Sequence, residues 1–240
     1  NGKIVYFESF GKRGFDDNKE IKNDDLYRIY SMTKPIVSVA IMQLYEKGKF
    51  HLNNPVEKFI PELKNLKIAI TKDSLVDAKN KITVKHLLTH TSGLSYGWSR
   101  HPADSYYRKA GLFNSKNSDD FINRVSKLPL RFEPGTKYNY SISTDILGIL
   151  VERISGLSLS DYLNKNVFSP LGMVDTFFEV PRNKAKRFLP NHTYDRSTNE
   201  INTIDSGKYE DSKKIEGSTM RNYYDVNMYS GGGGLVSTAY

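Results

Sequence analysis

The sequence predicts an α/β protein in which short strands come first and a series of helices follows. Bulky and polar side chains alternate in the stretch before Ser31, and apolar residues recur at helical spacing through the middle of the chain. Glycine and proline residues separate these segments, as turn signals do. With 240 residues and 38% hydrophobic content, the chain is long enough to enclose a core.

The first predicted elements are two strands and a long helix. The segment KIVYFESFG (3–11) alternates apolar and polar residues ahead of turn signals, and DLYRIY (25–30) is a second short candidate. A helix is predicted from Pro35, with Gly48 as its C-terminal stop. Because this helix is apolar nearly all round, we expect it to be buried.

Four further helices are predicted from apolar spacing and capping residues. They are TVKHLLTH with Thr83 as N-cap, SDDFINRVSKLPL, TDILGILVERISG ending at Gly156, and SLSDYLNKNVFSPLG with Ser158 or Ser160 as N-cap. From about Arg182 to Asn227 the pattern is weak and predicts long loops with room for one strand. The segment SGGGGLVSTAY at the end predicts a tight turn with close backbone approach, followed by the start of a helix.

Composition argues against several classes of function. The net charge is +8, but Lys and Arg are interspersed with acidic residues, so the sequence predicts no nucleic-acid-binding surface. The absence of cysteine rules out disulfides, cysteine nucleophiles and thiolate metal sites. No apolar run approaches the ~20 residues of a membrane helix. A location in the cytoplasm and one in the periplasm both remain open.

The stretch RIYSMTKPIV places Ser31 three residues before Lys34, at the start of the predicted buried helix. Side chains at this spacing lie on one helix face, one turn apart. A serine hydroxyl needs a base to become a nucleophile, and a buried amine can act as that base. Alone, the pair is weak evidence, because an N-cap serine followed by a surface lysine gives the same pattern.

Five blocks of the sequence resemble, in order, those of the penicillin-recognising serine hydrolases. They are LYRIYSMTKPIVSVAIMQLYEKGKFHLNNPVEKFIPEL, ITVKHLLTHTSGLSYG, FEPGTKYNYSISTDILGILVERISG, VFSPLGMVDTFF and SGGGGLVSTAY. Within that superfamily they are most similar to the bacterial-type carboxylesterases related to class C β-lactamases. The resemblance implies a β-lactamase-like α/β fold, with an antiparallel sheet flanked by helices and an inserted, mainly helical domain. It divides the chain into part of the α/β domain (1–48), the helical domain with long loops (49–226) and an incomplete return (227–240).

The resemblance also implies roles for individual residues. Ser31 matches the acylated nucleophile, Lys34 its base, and Tyr140 the tyrosine that relays the proton between nucleophile and leaving group. Tyr138, two positions earlier, is a rival that the family spacing disfavours. Tyr96 and Trp98 follow the second block, where the family loop borders the pocket, and are predicted to bind substrate. The family needs neither a metal nor an organic cofactor.

One departure from the family pattern bears on the substrate. β-Lactamases and D,D-peptidases carry asparagine two residues after the tyrosine, whereas this chain has Ile142. A hydrocarbon cannot hydrogen-bond a substrate amide, so a small-molecule ester is favoured over an amide. The resemblance thus implies a carboxylesterase on short-chain esters that forms an acyl-enzyme. A β-lactamase or D,D-peptidase and a non-catalytic penicillin-binding or sensor domain remain alternatives.

A second departure concerns the third family motif, which normally follows the block that ends here at Tyr240. That motif supplies one of two oxyanion-hole N–H groups, and loss of one donor costs about a hundred- to a thousandfold in rate. We therefore expect a chain truncated at both ends that needs a C-terminal remainder or a complementary chain. Other side chains are predicted to be structural: His86 and His90 lack a third metal ligand, and Asp145 and Glu152 are expected as a cap and a solvated face.

Overall fold

The structure is a computed structural model that describes residues 3–15, 17–208 and 223–240. Within these residues the strands form four antiparallel pairs. They are β1 (Lys12–Gly14) with β2 (Asp17–Glu20), β3 (Tyr27–Arg28) with β8 (Val236–Ser237), β4 (Lys67–Ala69) with β5 (Leu75–Asp77), and β6 (Asn191–Asp195) with β7 (Glu200–Asp205).

The helices lie between β3 and β6. They are α1 (Thr33–Glu46), α2 (Val84–Leu88), α3 (Asp104–Ala110), α4 (Ser118–Val125), α5 (Ser143–Ser155), α6 (Leu159–Leu163) and α7 (Ser169–Leu171), with a π-helical turn (Asn164–Phe168) joining the last two. Along the described parts of the chain, none of the helices is long and apolar enough to cross a membrane.

The capping residues predicted from the sequence are confirmed at three helices. The Thr83 hydroxyl accepts the His86 N–H at the start of α2, and the Ser158 hydroxyl accepts the Asp161 N–H at the start of α6. Gly156 ends α5 with a φ of +73°, in the left-handed region that favours glycine. Of the two serines proposed to cap α6, Ser158 is therefore the cap.

Helices α1 and α5 form the centre of the main core. The first nine residues of α5 are all buried. Helix α1 packs against α5, and its residues Val37, Ala40 and Ile41 are buried in the same core. The opposite face of α1 is open to solvent at Val39, so the prediction that this helix is buried all round is wrong. Helix α1 therefore packs on the core through one face, and its other face is exposed.

Two predictions about the chain ends are also wrong. Residues 3–10 form no strand, and Val5 is 94% exposed, because the described residues offer no partner strand to this segment; the hairpin lies at β1 and β2 instead. After the glycines the chain forms strand β8 rather than a helix, because it pairs with β3. Ile29 donates its N–H to Leu235 at 3.0 Å, and Leu235 donates to the Thr33 hydroxyl at 3.1 Å. This pairing brings the turn at residues 230–234, called the glycine turn below, beside the start of α1.

The weakly patterned segment from Arg182 to Asn227 contains the β6–β7 hairpin, and part of it, 209–222, lies outside the described residues. Arg28 anchors this hairpin to β3: its guanidinium donates to Leu189 O at 2.6 Å and pairs with Asp205. The same guanidinium lies 4.0 Å from the ring centroid of Phe188, a cation–π contact. The division into 1–48, 49–226 and 227–240 stays a prediction.

Candidate active site

Ser31 lies at the junction of β3 and α1, in the 3₁₀ turn Tyr30–Met32. Tyr30 has a φ of +43°, a left-handed conformation that is uncommon for a residue with a side chain. The chain turns sharply here, and Ser31 is left exposed. Because α1 begins two residues later, its positive dipole end faces this part of the surface.

Lys34 and Tyr140 converge on Ser31, as the sequence predicts. Lys34 Nζ lies 3.2 Å from Ser31 Oγ, and the Tyr140 hydroxyl donates to the same oxygen at 2.6 Å. Lys34 Nζ is also 4.5 Å from the centroid of the Tyr140 ring. One serine oxygen therefore has an amine and a phenol within hydrogen-bond distance.

Lys34 is a buried lysine, 9% exposed, rather than the surface residue that the Ser-x-x-Lys spacing alone also permits. Its amine donates to the Gly232 carbonyl at 2.6 Å. Gly232 belongs to the glycine turn that β8 brings beside α1. The amine is thus held between the turn and the exposed serine.

Asp145 holds the glycine turn in place through hydrogen bonds, a role that the sequence did not indicate. The expectation of a cap at this position is wrong, because the structure describes no side-chain capping hydrogen bond at the start of α5. The Asp145 side chain is buried and accepts from Ser230 Oγ at 2.6 Å and from the Gly232 N–H at 3.0 Å. Burial raises the pKa of Asp145, while these hydrogen bonds oppose the shift. This role of the carboxylate depends on residues that are distant in sequence, so only the folded structure shows it.

Glu152, the other acidic residue of α5, is also not the solvated residue that was expected. Its carboxylate accepts from Ser118 Oγ at 2.7 Å and from the Leu159 N–H at 2.9 Å. Burial raises its pKa. These bonds connect α5 to the starts of α4 and α6, so Glu152 has a structural role.

Tyr96 and Trp98 form an aromatic wall beside the serine. Their rings stack with centroids 4.5 Å apart and an interplanar angle of 12°. The centroid of the Tyr140 ring lies 5.7 Å from that of Tyr96 and 6.3 Å from that of Trp98. The Tyr96 hydroxyl donates to Asp145 at 3.3 Å, and burial raises the pKa of this phenol, so it stays protonated. Trp98 is 76% exposed and presents its free face to solvent.

His90 lies behind Tyr140, with the two ring centroids 4.9 Å apart. Its Nδ1 accepts the Ser141 N–H at 3.2 Å, which fixes the loop that carries Tyr140. Burial, followed by the charge of Lys34, lowers the pKa of His90 to about 4, so the ring is neutral at pH 7. Tyr138 is 67% exposed and its ring meets His90 edge-on, so of the two tyrosines only Tyr140 reaches Ser31.

The two histidines of the second block have separate structural partners. The ring of His86 accepts the Thr83 N–H at 3.3 Å and completes the cap of α2, which is a structural role. Among the residues that the structure describes, no three His, Cys, Asp or Glu side chains are grouped as a metal site would require.

Comparison with known proteins identifies the family of the chain. A family model described as Beta-lactamase matches residues 1–240. Esterase EstB from Burkholderia gladioli is 36% identical over 183 residues, which cover 74% of this chain and 45% of that protein. Monacolin J acid methylbutanoyltransferase from Aspergillus terreus is 32% identical over 190 residues, covering 75% of this chain and 46% of that protein.

A solved structure gives the same fold. Unliganded simvastatin synthase (LovD) from Aspergillus terreus superposes with a TM-score of 0.75 at 27% identity, covering 99% of this chain and 57% of that one. The chain spans about half the length of the relatives that it matches. With a family match along its whole length and a shared α/β fold, the chain belongs to the β-lactamase family of serine hydrolases, whose members include esterases and acyltransferases.

Proposed function

We propose that the chain carries the acylation site of a serine carboxylesterase, with Ser31 as nucleophile, Lys34 as base and Tyr140 as proton relay. The observation that carries the proposal is the pair of contacts to Ser31 Oγ, from Lys34 Nζ at 3.2 Å and from the Tyr140 hydroxyl at 2.6 Å. A nucleophile and its base within hydrogen-bond distance are the hallmark of covalent catalysis.

The contacts of Lys34 suit a base. A neutral amine has two N–H bonds and one lone pair, so it can donate to the Gly232 carbonyl while it accepts the Ser31 proton. The Tyr140 hydroxyl then donates to Ser31 Oγ from the other side. In this proposed arrangement Ser31 Oγ accepts from Tyr140, and the Ser31 hydroxyl donates its proton to the lone pair of the Lys34 amine, 3.2 Å away.

The reaction follows from these positions. Ser31 Oγ attacks the ester carbonyl carbon while its proton moves to Lys34, and the N-terminal end of α1 stabilises the negative oxygen of the tetrahedral intermediate. The carbon–oxygen bond to the alcohol breaks as that oxygen takes a proton from Tyr140, which recovers one from Lys34. Water then attacks the acyl-enzyme by the same route, releasing the acid and restoring the Ser31 hydroxyl.

Two features support an ester rather than a β-lactam or peptide as substrate. Ile142, in place of the family's asparagine, is fully buried and offers no polar group to an amide. Tyr96 and Trp98 supply an apolar wall beside Ser31, which suits the uncharged acyl or alcohol part of a short-chain ester. The Tyr96 hydroxyl is engaged by Asp145, so we propose that this residue binds substrate through its ring.

Transfer of the acyl group to an alcohol is a second candidate function. One of the relatives is named a methylbutanoyltransferase, and the same acyl-enzyme serves both reactions. The only chemical difference is that an alcohol rather than water attacks the acyl carbonyl carbon. Adding a small alcohol to the ester assay separates the two, since transfer yields a new ester in place of the acid.

The test compares 4-nitrophenyl butyrate with nitrocefin as substrates of the full-length protein. We expect hydrolysis of the ester, hydrolysis of nitrocefin slower by about a hundredfold or more, and a loss of about 10⁴-fold in Ser31→Ala. Faster turnover of nitrocefin would support the β-lactamase alternative. Covalent labelling of Ser31 without turnover of either substrate would support the penicillin-binding alternative. Substantial ester hydrolysis by Ser31→Ala would contradict the proposal.

A further inference from the structure

The proposed reaction leaves one buried charged group of the site without a role. Asp145 lies in the first turn of α5 with its carboxylate under the glycine turn. Three donors surround it: Ser230 Oγ at 2.6 Å, Gly232 N–H at 3.0 Å and the Tyr96 hydroxyl at 3.3 Å. Because every partner donates, the carboxylate needs no proton of its own, and the arrangement suits its ionised form.

Gly232 links this carboxylate to the proposed base. Its N–H is held by Asp145, and its carbonyl accepts from Lys34 Nζ at 2.6 Å. A side chain does not fit at this position, since a Cβ would overlap the Asp145 carboxylate and lie 2.7 Å from the Tyr96 hydroxyl. The backbone therefore approaches Asp145 as closely as only glycine allows.

A purely structural role does not require a carboxylate here. An asparagine of the same size would accept the Ser230 and Gly232 hydrogens through its oxygen and donate to the Tyr96 oxygen. It would do so without burying a charge, which is unfavourable unless the charge is paired. The positive group that interacts with Asp145 from across the turn is Lys34.

We infer that Asp145 is a positioning residue for Lys34: it fixes Gly232, whose carbonyl holds the amine beside Ser31, and it supplies a buried negative charge behind that amine. The inference rests on the proposed acyl transfer at Ser31. The hydrogen-bond partners of Asp145 among the described residues are Ser230, Gly232 and Tyr96 rather than Ser31, so it acts through Gly232 and Lys34. Tyr96, which donates to the same carboxylate, connects Asp145 to the aromatic wall.

The test measures the rate at which a fluorophosphonate labels Ser31 in the full-length protein between pH 5 and pH 10. The variants are Asp145→Asn and Glu152→Gln, the second being a matched control. Glu152 lies two turns further along α5, is also partly buried and accepts from Ser118 and Leu159, away from the turn. Each variant removes one negative charge from the same helix.

Asp145→Asn can keep the hydrogen bonds to Ser230 and Gly232 but removes the negative charge. We expect a maximal labelling rate lower by about tenfold or more, because the amine loses the electrostatic interaction that helps to hold it in place. We also expect the midpoint of its rise with pH to move to lower pH, because the electrostatic interaction between the Asp145 carboxylate and Lys34 is lost. Glu152→Gln should label as the wild type does. An unchanged midpoint in Asp145→Asn would overturn the inference whatever its maximal rate, because a general loosening of the fold lowers the rate equally at every pH.

Two further results keep the test decisive. If Asp145→Asn does not fold, Ser230→Ala removes one donor to the carboxylate, and we expect about a threefold lower rate with wild-type melting behaviour. A wild-type rate in Ser230→Ala would then count against the inference. Failure of the wild-type protein to label at Ser31 contradicts the proposed function itself, whereas equal labelling of wild type and Asp145→Asn contradicts only the role of Asp145.

Discussion

The two sides of the candidate site are built differently. On the buried side, Lys34, Asp145 and Gly232 are joined by hydrogen bonds of 2.6 and 3.0 Å, with little exposed surface. On the open side, Trp98 is 76% exposed, and its contacts among the described residues include the rings of Tyr96 and Tyr140. Groups that move protons must be held within a few tenths of an ångström, whereas groups that receive a varied substrate need shape and apolar surface.

This contrast predicts that changes on the buried side act mainly on the chemical step and changes on the open side mainly on binding. The largest effect is expected at Lys34. Lys34→Ala should lower kcat/KM for an ester by about a thousandfold, because the acceptor for the Ser31 proton is lost. Stopped-flow or steady-state hydrolysis of a 4-nitrophenyl ester measures this.

Lys34→Arg is the matched control, because it keeps the positive charge on a group that does not lose its proton. We expect it to be as inactive as Lys34→Ala. Activity near the wild-type level in Lys34→Arg would show that the site needs a cation and not a base.

The next largest effect is expected at the glycine turn. Gly232→Ala places a Cβ against the Asp145 carboxylate and 2.7 Å from the Tyr96 hydroxyl, two groups that are held in place by hydrogen bonds. We expect the free energy of unfolding to fall by about 1–3 kcal/mol, and ester hydrolysis to fall with it because the Gly232 carbonyl moves away from Lys34. Denaturant unfolding and the hydrolysis assay measure the two quantities. Wild-type values in both would mean that the turn is not held in the way described.

A smaller effect is expected on the open side. Trp98→Ala removes an indole that stacks on Tyr96 and otherwise faces solvent. We expect KM for an aryl ester to rise about fivefold, equivalent to about 1 kcal/mol of aromatic contact, with kcat within about twofold. Tyr138→Ala is the control, since this exposed ring contacts His90 rather than the aromatic wall. A fall in kcat without a change in KM for Trp98→Ala would break the distinction between the two sides.

The smallest effect on stability is expected at His90, whose ring packs behind Tyr140. Its pKa is about 4 in the folded protein, below the 6.5 of an unperturbed histidine. Above pH 6.5 His90 is neutral in both the folded and the unfolded state, so its full contribution to the free energy of unfolding is present. Between pH 6.5 and 4 only the unfolded state gains the proton, so stability falls as the pH falls.

From pH 7 to pH 5 we expect a loss of about 1 kcal/mol for this half-buried ring, absent in His90→Asn. Asparagine tolerates the φ of +53° at this position, and its amide oxygen can accept the Ser141 N–H. Denaturant unfolding at both pH values measures the difference. An equal loss of stability in both proteins would contradict the assignment of this pH dependence to His90.

The sequence predicted the residues whose roles depend on local spacing. Ser31 and Lys34 are one turn apart, and the motif around Tyr140 identified the third group, so the meeting of these side chains follows from the resemblance. The caps at Thr83 and Ser158 depend on a hydroxyl and an N–H a few residues away. Such contacts are encoded within a short window of the chain.

Apart from the meeting of Tyr140 and Ser31, which the family motifs specify, features that depend on distant segments were not predicted. The role of Asp145 requires a turn 85 to 87 residues away in sequence, to which nothing in the helix pattern points. The chain after the glycines forms a strand because β3 is there to pair with it, although its apolar residues alone suit a helix. Segment 3–10 alternates as a strand does, but pairing rather than alternation makes a strand, and the described residues offer it no partner.

The central claim is that Ser31 is the nucleophile of an acyl-transfer reaction, and the most direct test is to locate the covalent adduct. The full-length protein is treated with a fluorophosphonate, digested and sequenced by tandem mass spectrometry, with Ser31→Ala treated in parallel. We expect one adduct on Ser31 and none in the variant. An adduct on another residue, or equal labelling of the variant, would contradict it.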